Sequence, residues 1–482
     1  MKKSEIDKSD VRYKEGTRLM IVMIVIGILF LALTGYLTYI ELFAKDSFMN
    51  NAFNQRQWKQ EQNTLRGQIV DRSGVILAES EREGDEQTRI YPFGSLYAHV
   101  VGYNSKIYGK SQIELAYNKN LAGLSEFSNF TDISGTFQGE EKVGDTVELT
   151  ISHELQKKAQ EMLGNRNGAV VAMDPTTGEI LCMVSNPTFD PNSASLQKNW
   201  ETLSNQDNSP FLSRATSGLY APGSIFKTIM AAAAVEEGLD DMTFEDKGSI
   251  VIDGKTFQNS GGRAHGTIDL ERAYAVSSNV AFMELGEALG EDTIREYIQK
   301  FKIGETIPFD LPLTKSRFDQ PEPMSETEIA STSIGQGKLL VTPLQMALMV
   351  STIANDGVMQ KPYIVSRVVN STGIPVQTGK PQVLDRIISP KAAAVVTDYM
   401  IETVENGTAT QAKISGMKVA GKTGTAENEM TAKEKEHTWF VGFAPADNPK
   451  IAVAIILEYS GGSGGSNAAP IARELFRIWA NR

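Results

Sequence analysis

The residues that could do chemistry begin with a serine and a lysine three positions apart. Ser224 and Lys227 follow the chain-breaking pair Pro222-Gly223 and open an apolar run, in APGSIFKTIMAAAAVEEGL. Side chains three positions apart on a helix are neighbours, so the two can touch. A serine hydroxyl needs a base to take its proton, and lysine is a base only when burial and a nearby cation keep it neutral. The helix start would also place free N–H groups beside Ser224, where they stabilise developing negative charge.

The Ser-x-x-Lys spacing is a weak signal by itself. It also occurs at Ser195 and Ser415, and average composition gives about two chance matches in a chain of this length. Neither of those serines opens an apolar helix. The pattern at Ser224 therefore needs support from other parts of the chain.

Two further patterns supply that support. AVSSNVAF places Ser277 and Asn279 at a polar break between two apolar helical runs, although such residues could equally cap the second helix. VAGKTGTAE holds residues 422–425, the only Lys-Thr-Gly of the chain, a tripeptide expected about 0.1 times by chance. Its alternative interpretation is an edge strand guarded by a lysine. Ser-x-x-Lys, Ser-x-Asn and Lys-Thr-Gly in this order are a set with a known acyl-transfer mechanism.

The bulk composition excludes several classes of function. With 482 residues, 22% charged and 41% hydrophobic, the chain is globular and long enough for two or three domains. A net charge of −12 without a basic block argues against a nucleic-acid partner. The single cysteine, Cys182, lies in an apolar stretch and is predicted to be a core residue that forms no intrachain disulfide. No metal or cofactor is expected, because the four histidines lack metal-ligand spacing; they are His99, His153, His265 and His437.

One apolar segment predicts a membrane anchor. Residues 19–40 hold no charge, and a run of that length can span a bilayer. No small-residue cleavage site follows it, so the anchor is expected to stay uncleaved. The basic residues of the predicted tail, 1–18, favour a cytoplasmic N-terminus and an extracytoplasmic remainder. Because no later apolar run is as long, we expect a single-pass protein of the plasma membrane.

The remaining pattern predicts the elements that must position the three motifs. Residues 41–60 are polar, the stretch 66–80 indicates a hairpin turning at 71–74, and 81–148 indicates a small strand-rich extension. Beyond 150 the pattern predicts a helix at 152–164, a hairpin at 168–185 and a mostly helical stretch at 224–300. A second hairpin at 437–459, a glycine-rich loop at 461–466 and a last helix at 470–480 follow. This order predicts an α+β fold, with helices packed on an antiparallel sheet and a separate helical lobe.

Together the motifs resemble those of penicillin-binding proteins of the class B, monofunctional transpeptidase kind. RGQIVDRSGVILA resembles the family's pedestal motif, and GAVVAMDPTTGEILCMVSNPTFDPN, APGSIFK, SIGQGKLLVTPLQMA, VAGKTGTAE and HTWFVGF resemble transpeptidase-domain stretches. The resemblance implies a serine β-lactamase-like transpeptidase fold, with a pedestal at 41–150 and a transpeptidase domain at 151–482. Ser-Ser-Asn stands where class A β-lactamases have Ser-Asp-Asn, which disfavours those hydrolases. No glycosyltransferase domain fits before residue 66, which disfavours the bifunctional class of penicillin-binding proteins.

The resemblance assigns a role to each motif residue. Ser224 would attack the carbonyl between the two terminal D-alanines of a peptidoglycan stem peptide, with Lys227 as its general base. Ser277 would relay a proton to the departing D-alanine, and Asn279 would bind the substrate amide. Lys422 would keep the site cationic, which keeps Lys227 neutral.

The Lys-Thr-Gly strand would bind the substrate. Thr423 and Thr425 would hold its terminal carboxylate, Gly424 would leave room for a peptide to add as a strand, and the N–H groups of Ser224 and Thr425 would form an oxyanion hole. Strand alternation places Lys422 and Gly424 on one face and the two threonines on the other. The sequence does not explain how both pairs reach one cleft.

The resemblance also implies partners and leaves alternatives. The expected partners are stem peptides, β-lactam antibiotics, the membrane and a multi-pass glycan polymerase of the SEDS family. One alternative sends the acyl group to water, as in a D,D-carboxypeptidase or a class D-like β-lactamase, and the long pedestal and single anchor disfavour it. Another is a β-lactam sensor or a scaffold without activity, which the intact motif set disfavours.

Overall fold

The computed structural model describes residues 3–40, 58, 61–84, 86–125, 142–426 and 436–479, with side chains from residue 18 onward. The prediction for 41–60 lies almost entirely outside the described residues. Two compact units are present, one of residues 1–60 and 106–109 and one of 61–105 and 110–482. In the first unit, helix α1 spans Lys3–Tyr39. Its segment Arg18–Tyr39 has a mean hydropathy of 2.6 and is long and apolar enough to cross a membrane.

The other elements follow in chain order. The helices are α2 Gln112–Ala116, α3 Asn118–Leu121, α4 His153–Leu163, α5 Ser193–Asn205, α6 Arg214–Ser217, α7 Lys227–Glu236, α8 Leu270–Ala275, α9 Asn279–Lys300, α10 Glu326–Ser333, α11 Pro343–Ala354, α12 Pro390–Asn406, α13 Gly464–Asn467 and α14 Ala469–Trp479. Short 3₁₀ turns cover Gly94–Tyr97, Gly223–Phe226, Ser260–Gly262 and Thr410–Ala412.

The strands fall into one five-stranded sheet, one six-stranded sheet and several two-stranded ribbons. They are β1 Ile69–Val70, β2 Ile76–Glu83, β3 Glu86–Ile90, β4 Asn104–Ser105, β5 Gly109–Lys110, β6 Thr146–Leu149, β7 Gly168–Met173, β8 Ile180–Asn186, β9 Thr243–Asp246, β10 Ser249–Ile252, β11 Lys255–Gln258, β12 Gly266–Asp269, β13 Arg317–Phe318, β14 Leu339–Leu340, β15 Val358–Gln360, β16 Val365–Val369, β17 Pro375–Thr378, β18 Val383–Arg386, β19 Ala420–Ala426, β20 His437–Ala444 and β21 Ile451–Leu457.

The five-stranded sheet is antiparallel, in the order β19-β20-β21-β7-β8. Its two hairpins, β7–β8 and β20–β21, were both predicted from alternating apolar runs around turns. Successive residues of β21 face two separate cores: Ala454 and Ile456 pack with α11, whereas Val453 and Ile455 pack with α4 and α14. Because both faces are covered, the central strands β7 and β21 are apolar throughout, and the predicted helix-flanked antiparallel sheet is confirmed.

The six-stranded sheet has the order β17-β16-β6-β1-β2-β3. The predicted hairpin at 71–74 joins β1 to β2, and Asp71 closes it by accepting hydrogen bonds from the N–H groups of Ser73 and Val75, both at 2.8 Å. Strands β16 and β17 come from the C-terminal half of the chain; β16 pairs with β6, and β17 pairs with β16. The predicted strand-rich extension therefore also contains the short helices α2 and α3, and its sheet includes the distant strands β16 and β17.

The prediction of a mostly helical stretch from 224 to 300 was wrong in its middle. Strands β9 to β12 occupy 243–269 between α7 and α8. Asp253 and Gly254 form the two-residue turn of the β10–β11 hairpin, both with positive φ, at 47° and 74°. Asp-Gly between two strand-forming segments is a strong hairpin signal, and it outweighs the helical propensity of the flanks. The structure also differs from the predicted glycine-rich loop at 461–466, since Gly464–Asn467 is helical.

Candidate active site

The segment carrying Ser224 is a 3₁₀ turn that leads into the buried helix α7. The backbone N–H of Lys227 donates to the carbonyl of Ser224, and side chains three apart in such a turn lie over one another. The α-helix itself begins at Lys227, three residues later than the sequence predicts. Ser224 is half-buried whereas Lys227 is fully buried. Within the described residues, the Ser224 hydroxyl makes no hydrogen bond to the protein.

Close backbone contacts fix this turn from two sides. Gly223 has φ +56°, and a Cβ there would lie 2.5 Å from the carbonyl oxygen of Thr425 in β19. Gly335 has φ +75°, and its Cβ would lie 2.1 Å from the Gly223 carbonyl oxygen. The Gly223 N–H donates to the Gly335 carbonyl at 2.9 Å. Only glycine tolerates both the backbone angle and the approach, so SIGQGK, which had no assigned role, packs against the back of the turn.

Lys227 extends from α7 to the second motif. Its Nζ donates to the Ser277 carbonyl at 2.9 Å and to Asn279 Oδ1 at 2.8 Å. The Ser277 hydroxyl lies 3.4 Å from the same nitrogen, and the ring of Phe282 lies 5.4 Å away. The lysine of the first motif thus contacts the serine and the asparagine of the second.

Lys422 reaches the same serine from β19. Its Nζ donates to Ser277 Oγ at 2.9 Å and to the Thr423 carbonyl at 3.1 Å, and it lies 5.4 Å from the ring of Tyr274. Lys422 is as fully buried as Lys227. Among the described residues, neither amine forms an ion pair. The hydroxyl of Ser277 therefore lies between two buried amines.

Burial controls the charge of both lysines. Desolvation, together with the nearby Lys422, lowers the pKa of Lys227 well below that of an exposed lysine, and Asp246 opposes this lowering. Burial lowers the pKa of Lys422 to about 7. Both directions follow because an apolar environment disfavours the charged form. Of the two, Lys227 is also lowered by a neighbouring cation, so it loses its proton more readily.

The second motif is a tight link between α8 and α9. Ser277 has φ +60°, a conformation that costs a non-glycine residue about 1–3 kcal/mol and is often found at functional sites. Ser278 is the N-cap of α9, because its Oγ accepts from the Ala281 N–H at 3.0 Å. The capping alternative thus applies to Ser278, which leaves the side chains of Ser277 and Asn279 to contact the lysines.

The Lys-Thr-Gly strand, β19, is an edge strand of the five-stranded sheet. Lys422 faces the second motif, and a Cβ on Gly424 would lie 3.0 Å from Ile225 Cγ2, so this face packs on the nucleophile segment. Thr423 points away and shares a 2.6 Å hydrogen bond with the hydroxyl of Thr408. The alternation noted in the sequence is therefore present. The roles of Thr423 and Thr425 in carboxylate binding stay predictions.

Four residues that the sequence did not single out also support the site. Asp246 and Asn259 hydrogen-bond to the second motif, Thr408 to Thr423, and Gly335 to the nucleophile turn. Only Gly335 had a sequence signal, as part of SIGQGK. No cluster of side chains that could hold a metal ion is present among the described residues.

Known proteins are similar to this chain in both sequence and fold. A family model of the penicillin binding protein transpeptidase domain matches residues 168–477, and one of the penicillin binding protein A dimerisation domain matches residues 66–147. Peptidoglycan D,D-transpeptidase PbpA of Mycolicibacterium smegmatis is 34% identical over 95% of this chain and 98% of its own. Peptidoglycan D,D-transpeptidase MrdA of Acinetobacter baumannii is 30% identical over 82% of this chain and 66% of its own.

Solved structures agree with this assignment. A ceftriaxone acyl-enzyme complex of penicillin-binding protein A from M. tuberculosis superposes with a TM-score of 0.83 at 32% identity, over 88% of this chain and 99% of that one. The transpeptidase fold predicted from the sequence is thereby confirmed. The motif order, the fold and these relatives agree, and the chain belongs to the penicillin-binding protein transpeptidase family.

Proposed function

We propose that this chain is a membrane-anchored peptidoglycan D,D-transpeptidase that crosslinks stem peptides through an acyl-enzyme on Ser224. The observation that carries the proposal is the position of Ser277 Oγ between the buried amines of Lys227 and Lys422, beside the nucleophile turn. Relatives named peptidoglycan D,D-transpeptidases support it, as do β-lactam acyl-enzyme complexes of a similar protein. The same serine then reacts with β-lactams.

Acylation begins with neutral Lys227. A neutral amine has two N–H bonds, and the Ser277 carbonyl and Asn279 Oδ1 are the acceptors nearest to its nitrogen. Its lone pair is then left for the proton of Ser224. As Ser224 Oγ bonds to the carbonyl carbon of the penultimate D-alanine, its proton moves to Lys227 Nζ. The N–H groups of Ser224 and Thr425 stabilise the oxyanion.

Collapse of the tetrahedral intermediate breaks the carbon–nitrogen bond to the terminal D-alanine. The leaving nitrogen takes a proton from the Ser277 hydroxyl, which Lys227 resupplies across the 3.4 Å contact. Lys422 holds the hydroxyl oriented at 2.9 Å and, while charged, attracts the substrate carboxylate. An acceptor amine then attacks the ester carbon, a new amide bond forms as the ester bond to Ser224 Oγ breaks, and a proton from the acceptor amine passes to that oxygen.

The proposal extends to the organisation of the chain. Residues 1–18 form a cytoplasmic tail, 19–40 a single membrane span, 41–150 the pedestal and 151–482 the transpeptidase domain outside the membrane. The dimerisation-domain match at 66–147 and the transpeptidase match at 168–477 support the division. The apolar helix Arg18–Tyr39 supports the anchor.

Labelled penicillin and a donor peptide ending in D-Ala-D-Ala test the chemistry. Mass spectrometry of the labelled chain should place the adduct on Ser224, and Ser224→Ala should lose it. Ser195→Ala and Ser415→Ala, which alter the two other Ser-x-x-Lys sites, should keep it. Incubation of donor and acceptor peptides should yield a joined product. If only a trimmed donor and free D-alanine form, the protein is a carboxypeptidase.

We further propose that the partner is a SEDS-family glycan polymerase, as the resemblance to class B penicillin-binding proteins implies, because a transpeptidase needs glycan strands to crosslink and the matched domains are a dimerisation domain and a transpeptidase domain. Along the apolar helix, Gly27 and Gly35 are open to close approach, since a Cβ on either would meet nothing within 4 Å, and small residues let membrane helices pack closely. Replacing residues 19–40 with an unrelated membrane helix should weaken co-purification with the polymerase and leave labelling of Ser224 intact. Unchanged co-purification would move the contact to the pedestal.

Full-length protein given lipid-linked precursor alone should make no glycan polymer. Polymer in that reaction would contradict the monofunctional assignment. The control is the same reaction with the polymerase added, in which polymer should form and then be crosslinked.

A further inference from the structure

A buried carboxylate lies behind the second motif. Asp246, at the end of β9, is 1% exposed. Its Oδ1 accepts from the Gly248 N–H and from Asn259 Nδ2, each at 2.8 Å. Its Oδ2 accepts from Ser278 Oγ at 2.7 Å and from the same Asn259 nitrogen at 2.8 Å. All these donors are neutral, and within the described residues Asp246 forms no ion pair.

The groups that hold Asp246 also hold the Ser-x-Asn motif. Ser278 stands between Ser277 and Asn279 and caps α9. Asn259 Oδ1 accepts from the backbone N–H groups of Asn279 at 2.7 Å and Val280 at 3.1 Å. A chain of hydrogen bonds therefore runs from Asp246 through Asn259 to Asn279, whose Oδ1 accepts from Lys227.

The charge of Asp246 also acts on Lys227. Within the described part of the chain, the groups whose charges shift the pKa of Lys227 are Lys422, which lowers it, and Asp246, which raises it. A unit charge is felt across several ångströms of protein interior because screening there is weak. The carboxylate is thus a negative charge that favours the ammonium form of Lys227.

We propose that Asp246 is a positioning residue of the transpeptidase site, which holds Ser278 and Asn259 against the Ser-x-Asn motif and places a buried negative charge behind that motif. The inference rests on the proposed function, in which Lys227 is the base. It predicts two separable effects. The hydrogen bonds determine how well Asn279 is placed, and the charge determines the pH at which the base becomes available.

Other titratable groups face this region from each neighbouring element. Lys422 approaches from β19, and half-buried His265 precedes β12 and donates its backbone N–H to the Asp246 carbonyl at 3.1 Å. Glu284 on α9 is half-buried, and its pKa is raised by burial and by Asp246. The pKa of His265 is lowered by burial. Because His265 and Glu284 are partly solvated, their charges are more strongly screened than that of Asp246.

The test is the pH profile of penicillin acylation at Ser224 in the full-length protein. Asp246→Asn removes the negative charge, so the Lys227 ammonium is less favoured and the acidic limb should move to lower pH by about one unit. Asn259→Ala keeps the charge of Asp246 and removes the hydrogen bonds that connect Asp246 to Asn279. It should lower the plateau about tenfold, the scale of one lost hydrogen bond to a polar group, with the limb in place.

A matched control and a second charge variant complete the design. Glu245→Gln removes an exposed carboxylate from the same strand and should leave the profile unchanged. Asp246→Ser removes the same charge and leaves a hydroxyl that can accept a hydrogen bond, so it should also move the acidic limb to lower pH, which keeps the test available if Asp246→Asn does not fold. An unmoved limb in either charge variant that still acylates would overturn the inference. Absence of labelling in the unaltered protein would instead overturn the proposed function.

Discussion

Two clusters of buried like charges make an instructive comparison. In the pedestal, Arg66 and Arg89 both contact the fully buried Glu114, with Nε–Oε distances of 2.6 and 2.7 Å. In the candidate active site, Lys227 and Lys422 are equally buried, but the group between them is the hydroxyl of Ser277. One pair of cations shares a carboxylate at contact distance, whereas among the described residues the other pair has no carboxylate in contact.

The difference shows how the same burial gives a fixed charge in one place and a labile proton in the other. Burial by itself would raise the pKa of Glu114, but Arg66 and Arg89 outweigh it and hold the pKa below the usual range. The cluster therefore stays ionised and structural. For Lys227, burial and a second cation act in the same direction and lower the pKa. An amine there gives up its proton more readily than an exposed lysine, as a general base must.

The sharpest way to break this comparison is to replace each active-site lysine by arginine. Lys227→Arg should lower penicillin acylation by about 10²–10⁴-fold, because a guanidinium does not give up its proton. Lys422→Arg should keep measurable acylation, because a guanidinium retains both the positive charge and the N–H donors that the role of Lys422 requires. Stopped-flow acylation rates measure both. Equal losses would mean that the two amines do not have separate roles.

Removal of the pedestal carboxylate should affect stability and leave the chemistry intact. Glu114→Gln leaves two buried arginines without their counter-ion, a change that typically costs about 3–5 kcal/mol. Urea unfolding should show the loss, whereas the acylation rate of the folded fraction should stay at its original value. Glu86→Gln, an exposed position on β3 of the same sheet, is the matched control. An unchanged unfolding free energy for Glu114→Gln would show that the ion cluster is dispensable.

The pH dependence of acylation should report both amines. The rate rises with pH as Lys227 becomes neutral, and because its pKa is lowered, this limb should lie well below the range of an exposed lysine. The rate falls as Lys422 loses its charge, near its pKa of about 7, since the substrate carboxylate is then less attracted. In Lys422→Arg the descending limb should disappear, because arginine stays charged. A descending limb that persists at the same pH would assign it to another group.

The smallest effect is expected where charges are exposed. Lys158 and Glu161 form a 2.9 Å pair on α4, with both side chains open to water. Glu161→Gln should leave the unfolding midpoint and the acylation rate unchanged, because solvent and salt screen such a pair. Thermal unfolding at low and high salt measures this. A loss as large as that of Glu114→Gln would mean that burial does not separate the two kinds of ion pair.

Much of the fold was predictable wherever the signal is local. The hairpins β7–β8 and β20–β21 follow from alternating or continuous apolar runs around turn residues, and α4 follows from its cap, Ser152, and its closing glycine, Gly164. The β9–β12 segment was missed because helical composition on both sides was given more weight than Asp253-Gly254. The pairing of β16 and β17 with the pedestal sheet joins segments more than 200 residues apart, and no local pattern indicates it.

By itself the sequence determined the chemistry that is available: a serine and a lysine one turn apart, a second serine with an asparagine, and a third motif with a lysine and a glycine. These are matters of residue type and spacing along the chain. Only the tertiary structure decided that Ser277 lies between Lys227 and Lys422 and that Asp246 stands behind them. Proton affinity depends on which charges and how much water surround a group in space, and those surroundings exist only once distant segments have packed together.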